Sequence, residues 1–361
     1  MKTTHFHALH RAAGAKMVSF AGFEMPIQYP KGILHEHNVV RTGVGVFDVS
    51  HMGEFEIRGV DALALIQKIT VNDASKLVEG KAQYSAMCYT TGGIVDDLLV
   101  YHRGDHYMLV VNGACKDKDL AWVLENAKGM DVQVDDCSDA YNLLAVQGPK
   151  SLNTVQKLTD QPLADVAYYS TVDGTIAGIP TIISRTGYTG ELGFELYFKG
   201  DDSVCALVVG ALFEAGADAG IEWIGLGARD TLRLEKGYCL YGNDIDDTTN
   251  PIEAGLGWIT KLAKGPFNAS DILAATKEAG PTRKLVGFVM KTEKLIPRSG
   301  YAIMHGDEVI GKVTSGNTSP GLGVGIGLGY VRADLAVPGT EITIAARNTT
   351  FPAEVSKIPF L

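Results

Sequence analysis

What this sequence has little of narrows the reading first. Its 361 residues include five cysteines, an odd number, and no two of them form a C-x-x-C pair. Neither a disulfide framework nor a dithiol redox motif is therefore written into the chain. Positive charge is also scarce: 32 lysines and arginines face 42 aspartates and glutamates, for a formal net charge of −10. That balance removes the basic footprint on which sequence-independent nucleic-acid binding rests, so no nucleic-acid partner is expected. No apolar run approaches the ~18–20 residues that span a bilayer. The longest, around residues 205–213, reads as one side of a buried helix. Met1-Lys2-Thr3-Thr4-His5 leads into no signal-like apolar stretch, and the expected setting is cytoplasmic, with no membrane partner. Two H-x-H pairs, His5/His7 and His35/His37, are accompanied by no H-E-x-x-H and no Cys/His cluster, so no metal is expected.

What is present is a folded-protein composition, 46% apolar and 20% charged, with 42 glycines spread along the length. The chain exceeds what one hydrophobic core serves, so two or three domains are expected. Alternation predicts strands over residues 54–58, 94–101 and 107–111, the last two joined as a hairpin by His102-Arg103-Gly104-Asp105-His106. Helical periodicity predicts helices over 61–70, 116–128, 203–217 and 228–236. The order is mixed, an α+β pattern without the regular alternation of a doubly wound sheet. Turn signals from Lys264-Gly265-Pro266 to Gly280-Pro281 mark a boundary region. Beyond it, short β segments at 285–290, 308–313, 327–331 and 341–345 suggest a small antiparallel barrel or sandwich. Gly306 to Val313 nearly spells a phosphate-binding loop, but valine stands in place of the magnesium-holding hydroxyl, and a β-turn between strands accounts for the glycines.

The segment richest in chemistry is Gly92-Gly93-Ile94-Val95-Asp96-Asp97-Leu98-Leu99-Val100-Tyr101, where two carboxylates interrupt an apolar strand. Side chains alternate across a strand, so Asp97 shares a face with Leu99 and Tyr101, and Asp96 goes with Leu98 and Val100. Taken alone, the pair reads as turn or strand-entry aspartates bonded to backbone amides.

Several stretches together resemble the glycine-cleavage T protein family. These are Gly14-Ala15-Lys16, Phe20-Ala21-Gly22-Phe23-Glu24-Met25-Pro26, Glu36-His37 with Arg41, and Gly45-Val46-Phe47-Asp48-Val49-Ser50-His51-Met52-Gly53. After the Gly-Gly-x-x-Asp-Asp strand come Val146-Gln147-Gly148-Pro149 and Thr186-Gly187-Tyr188-Thr189-Gly190-Glu191-Leu192-Gly193-Phe194-Glu195. Gly227-Ala228-Arg229-Asp230-Thr231-Leu232-Arg233-Leu234-Glu235, Leu240-Tyr241-Gly242-Asn243-Asp244 and Val313-Thr314-Ser315-Gly316 complete the set, from about residue 5 onward. Phe23 departs from the family's frequent tryptophan, and Asn268-Ala269 from its isoleucine–glycine pair.

The resemblance implies a three-domain, cloverleaf-like arrangement of two mixed α/β domains and a C-terminal antiparallel β barrel or sandwich. Residues 1–265 would form a folate-binding catalytic region of two interleaved domains, one roughly 51–139, and residues 280–361 the C-terminal β domain. It implies an aminomethyltransferase that moves the one-carbon unit of an S-aminomethyl-dihydrolipoyl H protein to tetrahydrofolate, with 5,10-methylenetetrahydrofolate, ammonia and dihydrolipoyl H protein as products. By family position Asp97 is the catalytic carboxylate. Glu195 accepts the amino group and ring N–H of the pterin, an arrangement that suits a two-oxygen acceptor. By family position Tyr84, Tyr188, Arg229 and Tyr238 would surround the folate, and strand alternation adds Tyr101 and, on the next strand, Asn112 as the polar cluster of an orienting pocket. Arg233, four residues after Arg229, reads as a structural partner of Asp230 or Glu235, and Asp244 as a loop-stabilising residue. Two rival readings share these positions: a folate-dependent demethylase of a small methylated compound, and a non-catalytic folate-binding protein of iron–sulfur cluster assembly. The second carries a Lys-Gly-Cys-Tyr-x-Gly-Gln-Glu motif, whereas this chain has Lys236-Gly237-Tyr238-Cys239-Leu240-Tyr241-Gly242-Asn243.

Overall fold

Alternation in the sequence becomes strands, and the strands form four sheets in the computed structural model, which describes residues 1–361. A two-stranded hairpin pairs Lys16–Phe20 with Phe23–Gln28. A six-stranded sheet runs in the order Thr171–Ile176, Ile179–Ser184, Gly193–Phe198, Asn142–Gln147, Gly45–Asp48, Glu222–Trp223. A five-stranded sheet runs Ala82–Cys88, Ile94–His102, Tyr107–Val111, Gly53–Arg58, Gln133–Asp136. The C-terminal strands close into a six-stranded antiparallel barrel. The chain groups into two compact units, residues 1–66, 74–84 and 98–230 in one and residues 67–73, 85–97 and 231–361 in the other.

In the first unit the core is built on one face of the six-stranded sheet. Phe194, Leu196 and Phe198 alternate into it from one strand, Leu144 and Val146 from the next, and Val44 and Val46 beyond. The helix Asp202–Ala215 covers this face. Asp201 starts it by accepting from the backbone N–H of Ser203 at 3.0 Å and Val204 at 3.2 Å, which satisfies two of the orphan donors of the first turn. Cys205, Val208, Val209 and Leu212, spaced for one helical face, enter the core, each burial worth roughly 1.5–3 kcal/mol for the larger side chains. The apolar run that is too short to span a membrane is thus a core helix. No helix of the protein is long and apolar enough to cross a membrane, and the five cysteines form no disulfide.

In the second unit the strand Arg283–Met290 pairs with Gly325–Arg332 on one side and Thr349–Ser356 on the other, which closes a barrel and rules out the sandwich. Phe288, Ile303, Val313, Ile344 and Val355 fill its interior. Two of its strands, Ala302–His305 and Thr349–Ser356, carry too weak a pattern to read in advance. The first is four residues long, and the second contains Pro352, which lacks a ladder donor.

Candidate active site

The strand Ile94–His102 alternates as its sequence requires. Asp96 is fully buried with Ile94, Leu98 and Val100, whereas Asp97 is half-buried on the face of Val95, Leu99 and Tyr101. Cross-strand register continues that second face: Leu99 lies opposite Val110 and Tyr101 opposite Met108. Asn112 follows the strand with the parity of Val110, and its carbonyl accepts from Cys115 N at 2.8 Å, the turn that starts the helix Lys116–Ala127. Asp97 itself belongs to the second compact unit, and Tyr101 and Asn112 to the first.

Within the first unit, the strand Gly193–Phe198 sends its even-numbered residues into the core, so Glu195 and Tyr197 project from the opposite face. There the Tyr197 and Tyr101 hydroxyls meet at 3.1 Å, with the rings edge to face at 6.0 Å. Ser184 Oγ donates to Tyr101 Oη at 3.2 Å and lies 2.8 Å from Thr186 Oγ1. The Thr186 hydroxyl in turn donates to the Glu195 carboxylate. Burial pushes the Glu195 carboxyl up, against the Thr186 hydrogen bond, the Arg229 charge and the Tyr197 hydroxyl, which hold it down. Burial drives both tyrosine hydroxyls well above their ordinary range, so they remain neutral hydrogen-bonding groups.

Gln147 shapes the loop that follows Thr186. Its side chain is fully buried, donates to Thr186 O at 3.1 Å and accepts from Thr189 Oγ1 at 3.0 Å. A Cβ on Gly187 would lie 2.1 Å from Gln147, and one on Gly193 2.4 Å, so both glycines are there to let the amide in. Arg41 Nη1 clips the loop from outside, 2.8 Å from Thr189 O and 2.9 Å from Glu191. Tyr188 is thereby held at the crest of the loop, where the Arg229 guanidinium sits 4.5 Å from its ring centre. The helix Leu226–Glu235 that carries Arg229 starts at Gly225, whose N–H is fixed at 2.8 Å by the buried Glu36, itself bonded to Tyr29 N at 2.6 Å.

His51 completes this region. Its ring packs edge-on against Phe20 at 5.1 Å, and Nδ1 is buried without a hydrogen-bond partner. Burial and the Arg229 charge depress its pKa to about 4, opposed by Asp48. The imidazole is neutral at working pH. Between pH 6.5 and 4 the unfolded chain takes up a proton that the folded one refuses, so stability falls as the pH drops through that window, by up to about 3 kcal/mol. Urea unfolding at pH 7 and 4.5 checks this: His51→Asn should lose less stability than the wild type over that interval. Equal losses would reject the assignment.

Of the residues expected from sequence, Tyr101 and Glu195 are joined through Thr186, and Tyr188 and Arg229 through their ring and guanidinium. Tyr84 is half-buried on the strand Ala82–Cys88 and is the last residue of that strand to belong to the first unit. Tyr238 lies in the second unit, just past the end of the Arg229 helix. Gly237, with φ +68°, lets its N–H reach Leu234 O at 2.9 Å while Tyr238 N reaches Arg233 O at 3.0 Å, a left-handed helix stop that only glycine adopts easily. Arg233 is buried against Asp244 at 2.8 Å, with Tyr238 O and Ser315 Oγ each at 2.9 Å. Thr186, Ser184, Tyr197 and His51 were not singled out in advance. For Tyr197 the signal was present, two residues after Glu195 on the same strand.

Known proteins resemble this chain along its whole length. Residues 6–264 match the family model of the GCVT N-terminal domain, and residues 283–361 that of the glycine cleavage T-protein C-terminal barrel domain. An aminomethyltransferase of Flavobacterium psychrophilum is 53% identical over 364 residues, which cover 100% of this chain and 99% of the relative. One of Halothermothrix orenii is 49% identical over 362 residues, with 100% of both chains covered. The crystal structure of glycine cleavage system aminomethyltransferase T from Bartonella henselae superposes with a TM-score of 0.92 at 33% identity, over 100% of this chain and 98% of that one. The chain belongs to the glycine cleavage T-protein family, the aminomethyltransferases.

Proposed function

We propose that this protein transfers the aminomethyl carbon of an S-aminomethyl-dihydrolipoyl H protein to tetrahydrofolate in glycine breakdown. In the balanced reaction the carbon loses its bonds to sulfur and to the amine nitrogen and gains bonds to two folate nitrogens. The two folate N–H protons end on the dihydrolipoyl thiol and on ammonia. The observation that carries the reading is the half-buried Glu195, tied through Thr186 to Tyr101 and Tyr197, with Arg229 stacked on Tyr188 nearby. An acidic acceptor among neutral hydroxyls, with a flat ring and a cation beside it, suits a reduced pterin and its aminobenzoyl stem. Asp97 would take the proton from the attacking folate nitrogen and stabilise the iminium-like carbon as sulfur departs. Tyr84, Asn112 and Tyr238 would complete the folate surround. The same reading assigns residues 1–265 to folate binding and catalysis, residues 280–361 to the C-terminal β domain, and the protein to the cytoplasm.

The test is formation of methylenetetrahydrofolate from aminomethyl-loaded H protein and tetrahydrofolate. Product with a small methylated amine, and none with loaded H protein, would favour the demethylase instead. Glu195→Gln should weaken tetrahydrofolate binding by roughly 1.5–3 kcal/mol, the scale of a hydrogen bond to charge, with little change in melting temperature. Titration calorimetry measures it, and unchanged affinity would remove Glu195 from the site.

A further inference from the structure

One buried acid of the first unit has no part in the scheme above. The strand Gly53–Arg58 turns Gly53, Phe55 and Ile57 to one side and Glu54 and Glu56 to the other. A Cβ on Gly53 would lie 2.8 Å from Val111 and 2.9 Å from Lys116, so the Gly53 side is the one covered by the helix Lys116–Ala127. Glu54 stands on the opposite face. It pairs with Val110, which pairs with Leu99, two residues along the ladder from the Tyr101–Met108 pair. Tyr141, whose ring lies edge-on to Tyr197 at 6.4 Å, donates to the neighbouring Glu56 at 3.1 Å, and Arg58 holds that same residue at 2.6 Å. Glu54 has a different setting. It is 1% exposed, and its backbone is pinned by Ser138 Oγ at 3.0 Å and Cys137 N at 2.9 Å.

We propose that Glu54 is a ligand-binding residue, which donates a hydrogen bond to an acceptor atom on the same pterin edge whose donors Glu195 accepts. This rests on the folate reading above. That edge of a pterin carries an amino group and a ring N–H, flanked by a carbonyl oxygen and a ring nitrogen that are acceptors. A carboxylate serves the donors, but the flanking acceptors require an O–H or N–H. Burial, followed by the Asp136 charge, raises the Glu54 carboxyl to about 8, with Lys116 opposing and Glu195 adding to the rise. The side chain is therefore protonated at neutral pH and carries the required O–H, as buried acids do when they act as donors in apolar sites. Only in its ionised form, above pH 8, would its charge act on Tyr197, whose hydroxyl meets Tyr101.

Calorimetry of the full-length protein with 5-formyltetrahydrofolate, a reduced folate that survives alkaline buffer, tests this at pH 7 and pH 9. Glu54→Leu should bind about tenfold more weakly at pH 7, the scale of one lost hydrogen bond, while Glu54→Gln, which keeps an N–H donor, should stay within about threefold of wild type. The wild type should lose affinity as the pH rises through 8, because the ionised acid no longer donates and sets a second negative charge beside Glu195. Glu54→Gln should not lose it. Wild-type affinity in a folded Glu54→Leu, or one shared pH profile for wild type and Glu54→Gln, overturns the proposal while the folate reading stands. If the wild type itself binds no folate at pH 7, the folate reading falls and this proposal with it.

Discussion

Asp97→Asn should lower the rate of aminomethyl transfer by about 10²–10⁴-fold, the usual worth of a positioned general base, and leave most of the folate affinity in place. The amide keeps the volume of the carboxylate but removes the proton acceptor and the charge that favours an iminium-like carbon. Asp96→Asn is the internal control. Asp96 is fully buried with Ile94, Leu98 and Val100, so its loss should register in melting temperature and not in chemistry. Single-turnover transfer and folate calorimetry on both variants separate the outcomes. An active Asp97→Asn would dismiss Asp97 as the base, and an inactive but normally stable Asp96→Asn would mean that the opposite face of the strand carries the reaction.

The largest expected effect on stability comes from Arg233→Met. Asp244 is fully buried and accepts from Arg233 at 2.8 Å, Ser315 Oγ at 2.9 Å and Leu240 N at 3.0 Å. Removing the guanidinium leaves a carboxylate in the interior without its cation, a change that costs about 3–5 kcal/mol. Denaturant unfolding monitored by fluorescence gives the number. Lys128→Met, which breaks the exposed pair with Glu125, should cost less than about 1 kcal/mol and calibrates the comparison. Should Arg233→Met prove as mild as Lys128→Met, the buried pair is not what secures this part of the fold.

Local pattern carried most of the architecture. The alternation over residues 94–101 and 107–111 and the helical spacing of Val208 and Leu212 are recovered nearly residue for residue. Closure of the barrel was not legible, because it depends on the pairing of Gly287 with Ser356 and of Met290 with Ala353, a long-range match that no single strand encodes. The candidate site divides in the same way. Alternation put Asp97 and Tyr101 on one face and could have added Tyr197 to Glu195. The role of Gln147 was hidden, since a glutamine that fills the space left by two glycines about 40 residues later becomes visible only when the strands Asn142–Gln147 and Gly193–Phe198 are side by side. Arg233 was read against its helical neighbours, yet its acid comes from the loop after the helix and its second partner from the barrel strand Glu308–Thr318.

The two compact units are both discontinuous along the chain, which passes from one to the other after residues 66, 73, 84, 97 and 230. A ribosome therefore completes every segment of the first unit once residue 230 has emerged. By then it has already released residues 67–73 and 85–97, which must wait for the C-terminal third. The waiting segment ends at Asp97. Its anchor is equally late, since Ile94 N is held by Asp246 O and Thr249 O, each at 3.0 Å. A nascent chain or truncated product that stops at residue 230 thus contains Glu195 and Arg229 but leaves the Asp97 segment without the residues that set it, so with Asp97 in its proposed role catalytic competence arrives only with the last part of translation.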